Sequence, residues 1–320
     1  MVELIVTDAS RADIASLADY TLDAAWGHDE NSFSMTCDRV LAAGAYVYLD
    51  GMEAGGVVDA IRDQLSRGGS TLTYTGRTWH GVLAGRIVEP DKDADHLTVS
   101  GGSDEVIDAL LARVGLSGTF GHDPDATPSD IAPYTFDRYA DLYTGLRAML
   151  AANGLKLAIR YDPAIRRVLL AARPTGHYGD VIDSDLLDFD ATRTWLQVNH
   201  LIGLGKGEGA DRATSHWYAD RDGNVSQTQT LTGVDEITQT YDYSNAEADE
   251  LADETRKKLA SLQSQGEVRV TVRDGADVEL DVGDTCVARD NTTGITVDAT
   301  VTKKIVKAAK GAVAIEYEAT

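Results

Sequence analysis

Alternating glycines at Gly203, Gly205, Gly207 and Gly209 form the first pattern in this sequence whose geometry would suit a ligand. A phosphate loop needs Ser or Thr directly after its lysine, and Lys206 is followed by Gly207. A dinucleotide fingerprint fits loosely as Gly205-x-Gly207-x-x-Ala210 after a strand. The residues that follow, Asp211–Tyr218, lack the apolar period of the helix that must receive the phosphates. Glycines alternating on an extended segment instead leave one face without side chains, which suits close approach of another backbone. The stretch Asp220–Asn224 resembles the opening of a calcium loop. Position six is Val225 and position twelve is Leu231, where that loop requires glycine and glutamate, so a hairpin turn is expected.

The seven histidines are His28, His80, His96, His122, His177, His200 and His216, and none makes H-x-x-x-H or pairs with cysteine at metal spacing. His122 with Asp123 and Asp125 is the one local cluster, in a proline-rich loop. The pairs Asp183/Asp185 and Asp188/Asp190 have the chemistry of glycoside hydrolysis in principle. With 52 acidic residues in the chain, close pairs of this kind arise by chance. There is no G-x-S-x-G elbow and no Cys/His arrangement. The residues therefore predict a chain that is not an enzyme, with no catalytic group, no cofactor and no metal.

Two arginines stand out in so acidic a chain, Arg77 and Arg86, flanking Trp79, His80, Gly81 and Leu83. The plain reading is a strand end with a buried Trp and Leu. A guanidinium fork suits bidentate pairing with carboxylates or carbonyls, either within the domain or across a subunit boundary, and both readings stay open.

These residues need elements to hold them. Residues 1–97 read as strands: Val2–Thr7, Ser32–Cys37 with Phe33, Met35 and Cys37 on one face, Ala45–Leu49, and Thr71–Tyr74. Pro90 and the acidic run Asp91–Asp95 mark a boundary. Residues 98–192 change period. Ser103 is placed to cap a helix carrying Val106, Ile107, Leu110, Leu111 and Val114, stopped at Gly115. Asp137 is expected to open a second helix, with Tyr139, Leu142, Tyr143, Leu146, Met149 and Leu150 on one face, ending at Asn153-Gly154. Leu155–Tyr161 and Val168–Arg173 follow as a hairpin. Residues 193–320 return to strands, interrupted by a helix near 245–264 for which Ser244 and Glu247 form a capping box. Alternation then marks strands at Val268–Val272, Val278–Val282, Ile295–Val301 after a turn at Asp290–Gly294, and Val313–Tyr317.

Composition sets the outer limits. A length of 320 residues makes two or three domains the expectation, and 43% apolar residues are enough for real cores. Four Phe and four Trp against thirteen Tyr and thirty Gly favour strands and turns over one aromatic core. Cys37 and Cys286 make no disulfide framework, and Cys37 belongs to a buried strand face. The N-terminus has no basic n-region and no long apolar run, which predicts synthesis in the cytoplasm without a signal peptide and no membrane insertion. The net charge of −23 repels nucleic acid and anionic membranes, either for solubility alone or so that passing DNA does not stick.

Several of these segments, in order, resemble the tail-hub proteins of long-tailed bacteriophages and prophages. These are relatives of the contractile-tail baseplate hub and of the N-terminal region of tail-associated lysins. The resemblance is carried by Asn31-Ser-Phe33, Gly51 through Gly55-Gly56-Val-Val-Asp59, and Gly76-Arg77-Thr-Trp79-His80-Gly81. It continues in the Leu142–Leu157 unit, Asn199-x-x-x-Gly203 with the glycine run and Arg212, and Val282-Gly283-Asp284. It implies a mainly β fold with α+β parts: two tail-tube-like β-barrels and a smaller α/β middle domain. The expected division is 1–97, 98–192 and 193–320, the second barrel interrupted by the helix near 245–264.

The implied function is structural: a component of the tail tip or baseplate, a homotrimeric ring that joins the tail tube to the distal tip and lets DNA pass. Implied partners are further copies of itself, the distal tail protein, tail-tube and tape-measure proteins, and tip or receptor-binding proteins, with no specific nucleic-acid binding. Its place would be the virion tail tip. Any peptidase or lysozyme activity in the particle is expected on other chains. The fold-critical or subunit-interface residues are expected to be Arg77, Trp79, Arg86, Gly203, Gly205, Gly207 and Gly283. The alternatives are the hub of a phage-like contractile injection system, or a carbohydrate-active or wall-binding tail-tip protein.

Overall fold

A computed structural model describes residues 2–8, 10–66, 69–178, 187–193, 197–244, 246–263, 266–272, 280–289 and 296–319. The chain is mainly β, with a curled, half-barrel sheet and few helices. In order, the elements begin with β1 (Leu4–Thr7), β2 (Asp13–Leu17), β3 (Tyr20–Gly27), β4 (Asn31–Cys37), β5 (Tyr46–Leu49), β6 (Gly55–Ser66) and β7 (Gly69–Thr78), then the short helix α1 (Trp79–Ala84). Next come β8 (Thr98–Gly102), α2 (Ser103–Arg113), β9 (Phe120–His122), β10 (Asp130–Thr135), α3 (Leu142–Ala152), β11 (Leu155–Asp162), β12 (Arg167–Pro174), β13 (His177–Tyr178) and β14 (Leu187–Arg193). The remainder is β15 (His200–Leu204), β16 (Thr214–Ala219), β17 (Val225–Ser226), β18 (Thr238–Asp242), α4 (Ala248–Ser261), β19 (Gly266–Val272), β20 (Thr285–Arg289), β21 (Thr296–Ala309) and β22 (Ala312–Ala319).

The chain packs as two compact units that do not follow sequence order: residues 1–190 with 269–319, and residues 191–268. The strand register explains the first grouping. Nine strands run β22-β21-β3-β4-β7-β6-β5-β1-β2, and Lys303–Ala309 of β21 lies antiparallel along Thr21–Gly27 of β3. The last two strands therefore complete the sheet begun by the first third of the chain.

Period-two alternation gives this sheet one dry face. Leu22, Ala24 and Trp26 of β3, Phe33 and Met35 of β4, Tyr74 of β7 and Val306 and Ala308 of β21 are buried together. Thr21, Asp23, Ser32, Ser34, Thr75 and Lys307 point the other way and are exposed. Cys37 lies on the dry face, as its spacing predicted.

A second core in the same unit joins α1, α2 and α3 to β11 and β12, around Trp79, Leu83, Ile107, Leu110, Phe120, Leu146 and Met149. The expected hairpin forms, Leu155–Asp162 with Arg167–Pro174, and β9 adds in parallel to β12. Both helices lie where the 3.6-residue period placed them, but their caps differ. The N-cap of α2 is Gly102, while the Ser103 hydroxyl accepts a hydrogen bond from Ser129 N across the β8–β10 pair. Helix α3 starts four residues later than expected. Asp141 supplies the cap, accepting from Thr144 N, and Tyr139 is exposed in the left-handed region. Gly154, with φ of 70°, ends the helix as its sequence signal indicated.

In the second unit β17-β16-β15-β18 form a four-stranded sheet with α4 on one face. Helix α4 begins at Ala248 with Glu247 as N-cap and no side-chain cap bond, so the box read from Ser244 and Glu247 does not form. Asp220 Oδ1 accepts from the backbone N–H of Asp222 and Asn224, which makes Asp220–Asn224 the hairpin turn expected of it. Of the strand expected at Val278–Val282, Val278 lies outside the described residues, as does the Asp290–Gly294 turn. The described part, Leu280–Asp284, is a turn with Gly283 at φ 101°.

Candidate functional site

The structure disperses the sequence-predicted residues over three places. Arg77 uses its fork within the first unit: Nε and Nη2 donate to the two carboxylate oxygens of Asp59 at 2.8 and 2.7 Å, across the β6–β7 ladder. That hydrogen bonding holds Asp59 below the ordinary carboxylate range. Trp79 opens α1 and is fully buried against Tyr46 and Tyr161. Arg86 is exposed, and its guanidinium has no ion-pair partner among the described residues.

Gly203 of β15 and Gly205 just beyond it serve packing inside the second unit. A Cβ on Gly203 would collide with the Thr255 hydroxyl of α4, and one on Gly205 would lie 2.8 Å from Leu251 Cδ2 and 2.9 Å from the Ala246 carbonyl oxygen. Gly207, at φ 109°, lets the chain turn back onto Asp211 and Arg212. The close approach expected of the glycine run is thus made by a helix of the same chain. Gly283 provides the left-handed turn that presents Asp281 and Asp284 to Lys156.

Those acids belong to a buried charge ladder that sequence reading missed. Lys304 of β21 lies between its cross-strand neighbours Trp26 and Tyr317, with its ammonium 5.8 and 6.0 Å from their ring centres. It contacts Asp281 Oδ1 at 2.9 Å and Glu53 Oε2 at 3.6 Å. Glu53 in turn takes a hydrogen bond from His80 Nε2 at 3.0 Å, and the His80 ring stacks on Trp26 at 4.9 Å. At the far end Lys156 donates to Asp284 at 2.7 Å, and Asp284 accepts the Gly176 and Asp281 N–H groups.

Protonation in the ladder follows from its partners. His80 Nδ1 has no partner among the described residues, so the Nε2–H tautomer, which leaves a bare lone pair rather than an N–H unpaired, is the less costly one. Burial pushes the Glu53 carboxyl up, but the His80 hydrogen bond and the Lys304 charge outweigh it and hold the group below its usual range. Burial, with Glu53 close by, raises Asp281. Burial disfavours the charge on Lys304, yet Glu53 and Asp281 overcome this and raise it. The ladder clamps the 280–284 turn, β11, β21, the β5–β6 connection and α1 together. The sequence did not mark it: alternation through Val297, Ala299 and Val301 gives Lys304 the outward parity, and a register shift between Val301 and Lys303 turns it inward.

The open face of the half-barrel sheet bounds a groove of about 680 Å³. Its lining carries five carboxylates, Asp23, Glu30, Asp59, Glu316 and Glu318, against Arg77 and Lys307. This is a wide, open surface, unlike an enclosing small-molecule pocket. Among the described residues no group of three or more His, Cys, Asp or Glu could hold a metal ion.

No protein-family profile matches the sequence, and no curated protein is significantly similar to it. Solved structures are similar to it. The crystal structure of a tail protein from Neisseria meningitidis MC58 superposes with a TM-score of 0.52 at 16% identity, covering 99% of this chain and 96% of that one. The 43 kDa tail protein of prophage MuSo2 from Shewanella oneidensis gives a TM-score of 0.57 at 11% identity, covering 100% and 97%. This is the fold of a phage tail protein. At such identities side chains are free to differ, so the tail-protein fold fixes the backbone frame and leaves the residues on it to this chain. The resemblance read from the sequence is to a class of phage and prophage tail proteins, and both of these neighbours in fold are tail proteins.

Proposed function

We propose that this chain is a structural component of a phage or prophage tail tip, the hub that joins the tail tube to the distal tip. The observation that carries the reading is the likeness of fold along essentially the whole chain to two tail proteins. The ring, its three-fold symmetry and the passage of DNA through it belong to the same proposal. So do contacts with distal tail, tube, tape-measure and tip proteins. Residues 1–97 and 193–320 then count as two tube-related modules around 98–192, the second lending β21 and β22 to the first one's sheet.

Three features support this reading. The β6–β7 ribbon exposes Ile61 and Leu65, at 52% and 81%, on a surface that a neighbouring subunit would cover. Arg86 offers an uncommitted fork for a carboxylate or carbonyl of such a neighbour. In the carboxylate-rich groove Arg77 and Lys307 are paired with Asp59 and Glu316, so it offers a polyanion little to displace its counterions, and DNA moving past is not held. No part of this requires catalysis, and the chain's role is to assemble.

The test is reconstitution. The purified chain, alone and mixed with the tube and distal tail proteins of its own tail cluster, is imaged by electron microscopy. Three-fold rings of tube width are expected, and Arg86→Glu or Leu65→Asp should remove them while the circular dichroism of the monomer stays unchanged. A chain that never enters a ring or tail with those partners would sink the proposal.

A further inference from the structure

In the second unit three residues far apart in sequence meet on the sheet face opposite α4. His200 Nδ1 lies 2.7 Å from Glu236 Oε1, and its Nε2 lies 3.0 Å from Nδ1 of His216. The register makes the meeting possible: Ile202 pairs with His216 and Thr238 pairs with His200, so β15, β16 and the start of β18 converge there. His200 is buried at 9% exposure and its ring stacks on Tyr218 at 4.4 Å, whereas His216 is exposed.

The carboxylate fixes the chemistry. The Glu236 carboxylate accepts Nδ1–H from His200 at that distance. Thr238 Oγ1 lies 3.1 Å from the same carboxylate oxygen. With Nδ1 occupied, a neutral His200 must present the lone pair of Nε2, and it presents it toward His216. A carboxylate behind an imidazole whose other nitrogen faces outward is the arrangement that orients histidine as a metal ligand.

We propose that His200 Nε2 and His216 Nδ1 form a two-nitrogen site for a borderline divalent transition metal, Cu²⁺ or Zn²⁺, with Glu236 as the orienting anion. The spacing agrees. Two nitrogens bound at about 2.0–2.1 Å to one ion, subtending 90–109°, stand about 2.9–3.4 Å apart, and these stand 3.0 Å apart. In the metal-free protein His216 Nδ1 donates its proton to His200 Nε2. When the ion binds, His216 carries that proton on its solvent-exposed Nε2 instead, so both rings stay neutral and no proton is lost. No third His, Cys, Asp or Glu among the described residues joins them as a ligand, so water fills the remaining positions. The same residue types at His122 and Asp108, 2.7 Å apart, lack the second imidazole and serve as the control.

The experiment titrates the full, tag-free chain with Cu²⁺ and separately with Zn²⁺ at pH 7.5 by calorimetry, followed by electron paramagnetic resonance of the Cu²⁺ form. One saturable site is expected, tighter for Cu²⁺ than for Zn²⁺, with hyperfine structure from two nitrogens. His216→Ala changes an exposed side chain and should abolish the site. Glu236→Gln should weaken it about 10–100-fold, the usual effect of losing an orienting partner. His122→Ala should leave it unchanged. The absence of a saturable site in the native chain, or undiminished binding in His216→Ala, overturns the proposal.

Discussion

Replacing Lys304 by Met keeps an unbranched side chain, one atom shorter, and removes the ammonium, which makes it the sharpest test of the buried ladder. At an effective dielectric constant near 20, the attractions to Asp281 at 2.9 Å and Glu53 at 3.6 Å are about 6 and 5 kcal/mol gross. Most of that is offset by the desolvation of three ions in the native protein. The variant, however, leaves two carboxylates largely buried without their cation, and breaking a buried pair in this way costs about 3–5 kcal/mol. For a unit of this size that corresponds to a fall in Tm of roughly 6–20 °C.

The pH dependence separates this cause from a simple packing defect. Without Lys304 the Asp281 carboxyl, already raised by burial, rises further, and Glu53 loses one of the charges that hold it down. Their penalty is then full at neutral pH and is relieved as pH falls toward the carboxylate range. The gap between native and Lys304→Met should therefore narrow between pH 7 and about pH 5, with Asp281, already raised by burial, protonating first. Adding Glu53→Gln should recover part of the loss, measured as coupling in a double-mutant cycle of urea unfolding. A loss below about 1 kcal/mol, or a gap constant across this pH range, refutes the reasoning.

Native stability should fall in acid as Asp29, Asp59 and Asp123 protonate, each depressed first by a hydrogen bond, from Lys303, Arg77 and Arg160 respectively. Their folded pKa values lie below the unfolded ones, so this stability is present above about pH 4 and lost below it, as circular dichroism against pH will read. Gly203→Ala should destabilise the second unit by about 1–3 kcal/mol through overpacking, and Thr255→Ala in the same chain should restore part of it, because the Thr255 hydroxyl is the atom the new methyl meets. Trp79→Ala should cost about 3–5 kcal/mol for an emptied core site. Trp79→Phe should cost clearly less, since the indole Nε1 it deletes has no hydrogen-bond partner among the described residues; chemical denaturation ranks the two.

What the sequence disclosed was local. The periods of α2, α3 and the β11–β12 hairpin, the Gly154 stop and the dry face through Cys37 were all legible, because each is set by residues within a few turns of one another. Caps were less so. Asp137 and Asp141 are the same residue type in one loop, and only the tertiary position of Tyr139 decides between them. The partner of Arg77 was open because a fork announces a carboxylate without saying which of 52 acids supplies it.

Non-local pairing was invisible. No period links β21 to β3, or Glu53 to Lys304, and the His200–His216 contact spans 16 residues only because of the β15–β16 register. The register shift between Val301 and Lys303, which turns Lys304 inward, is equally non-local: it shows only once β21 is paired with β22.

The pairing of β21 with β3 also sets a clock. Thr21–Gly27 are synthesised early, yet the strand that covers their edge is residues 303–309. At about 5–20 residues per second the ribosome leaves that edge without its partner for roughly 15–55 s. Throughout that interval β3 offers unpaired N–H and C=O groups above a dry face holding Leu22, Ala24 and Trp26. A nascent chain of this kind can close its half-barrel only after residues 303–309 have been made, so its yield in a cell depends on what shields that edge in the meantime.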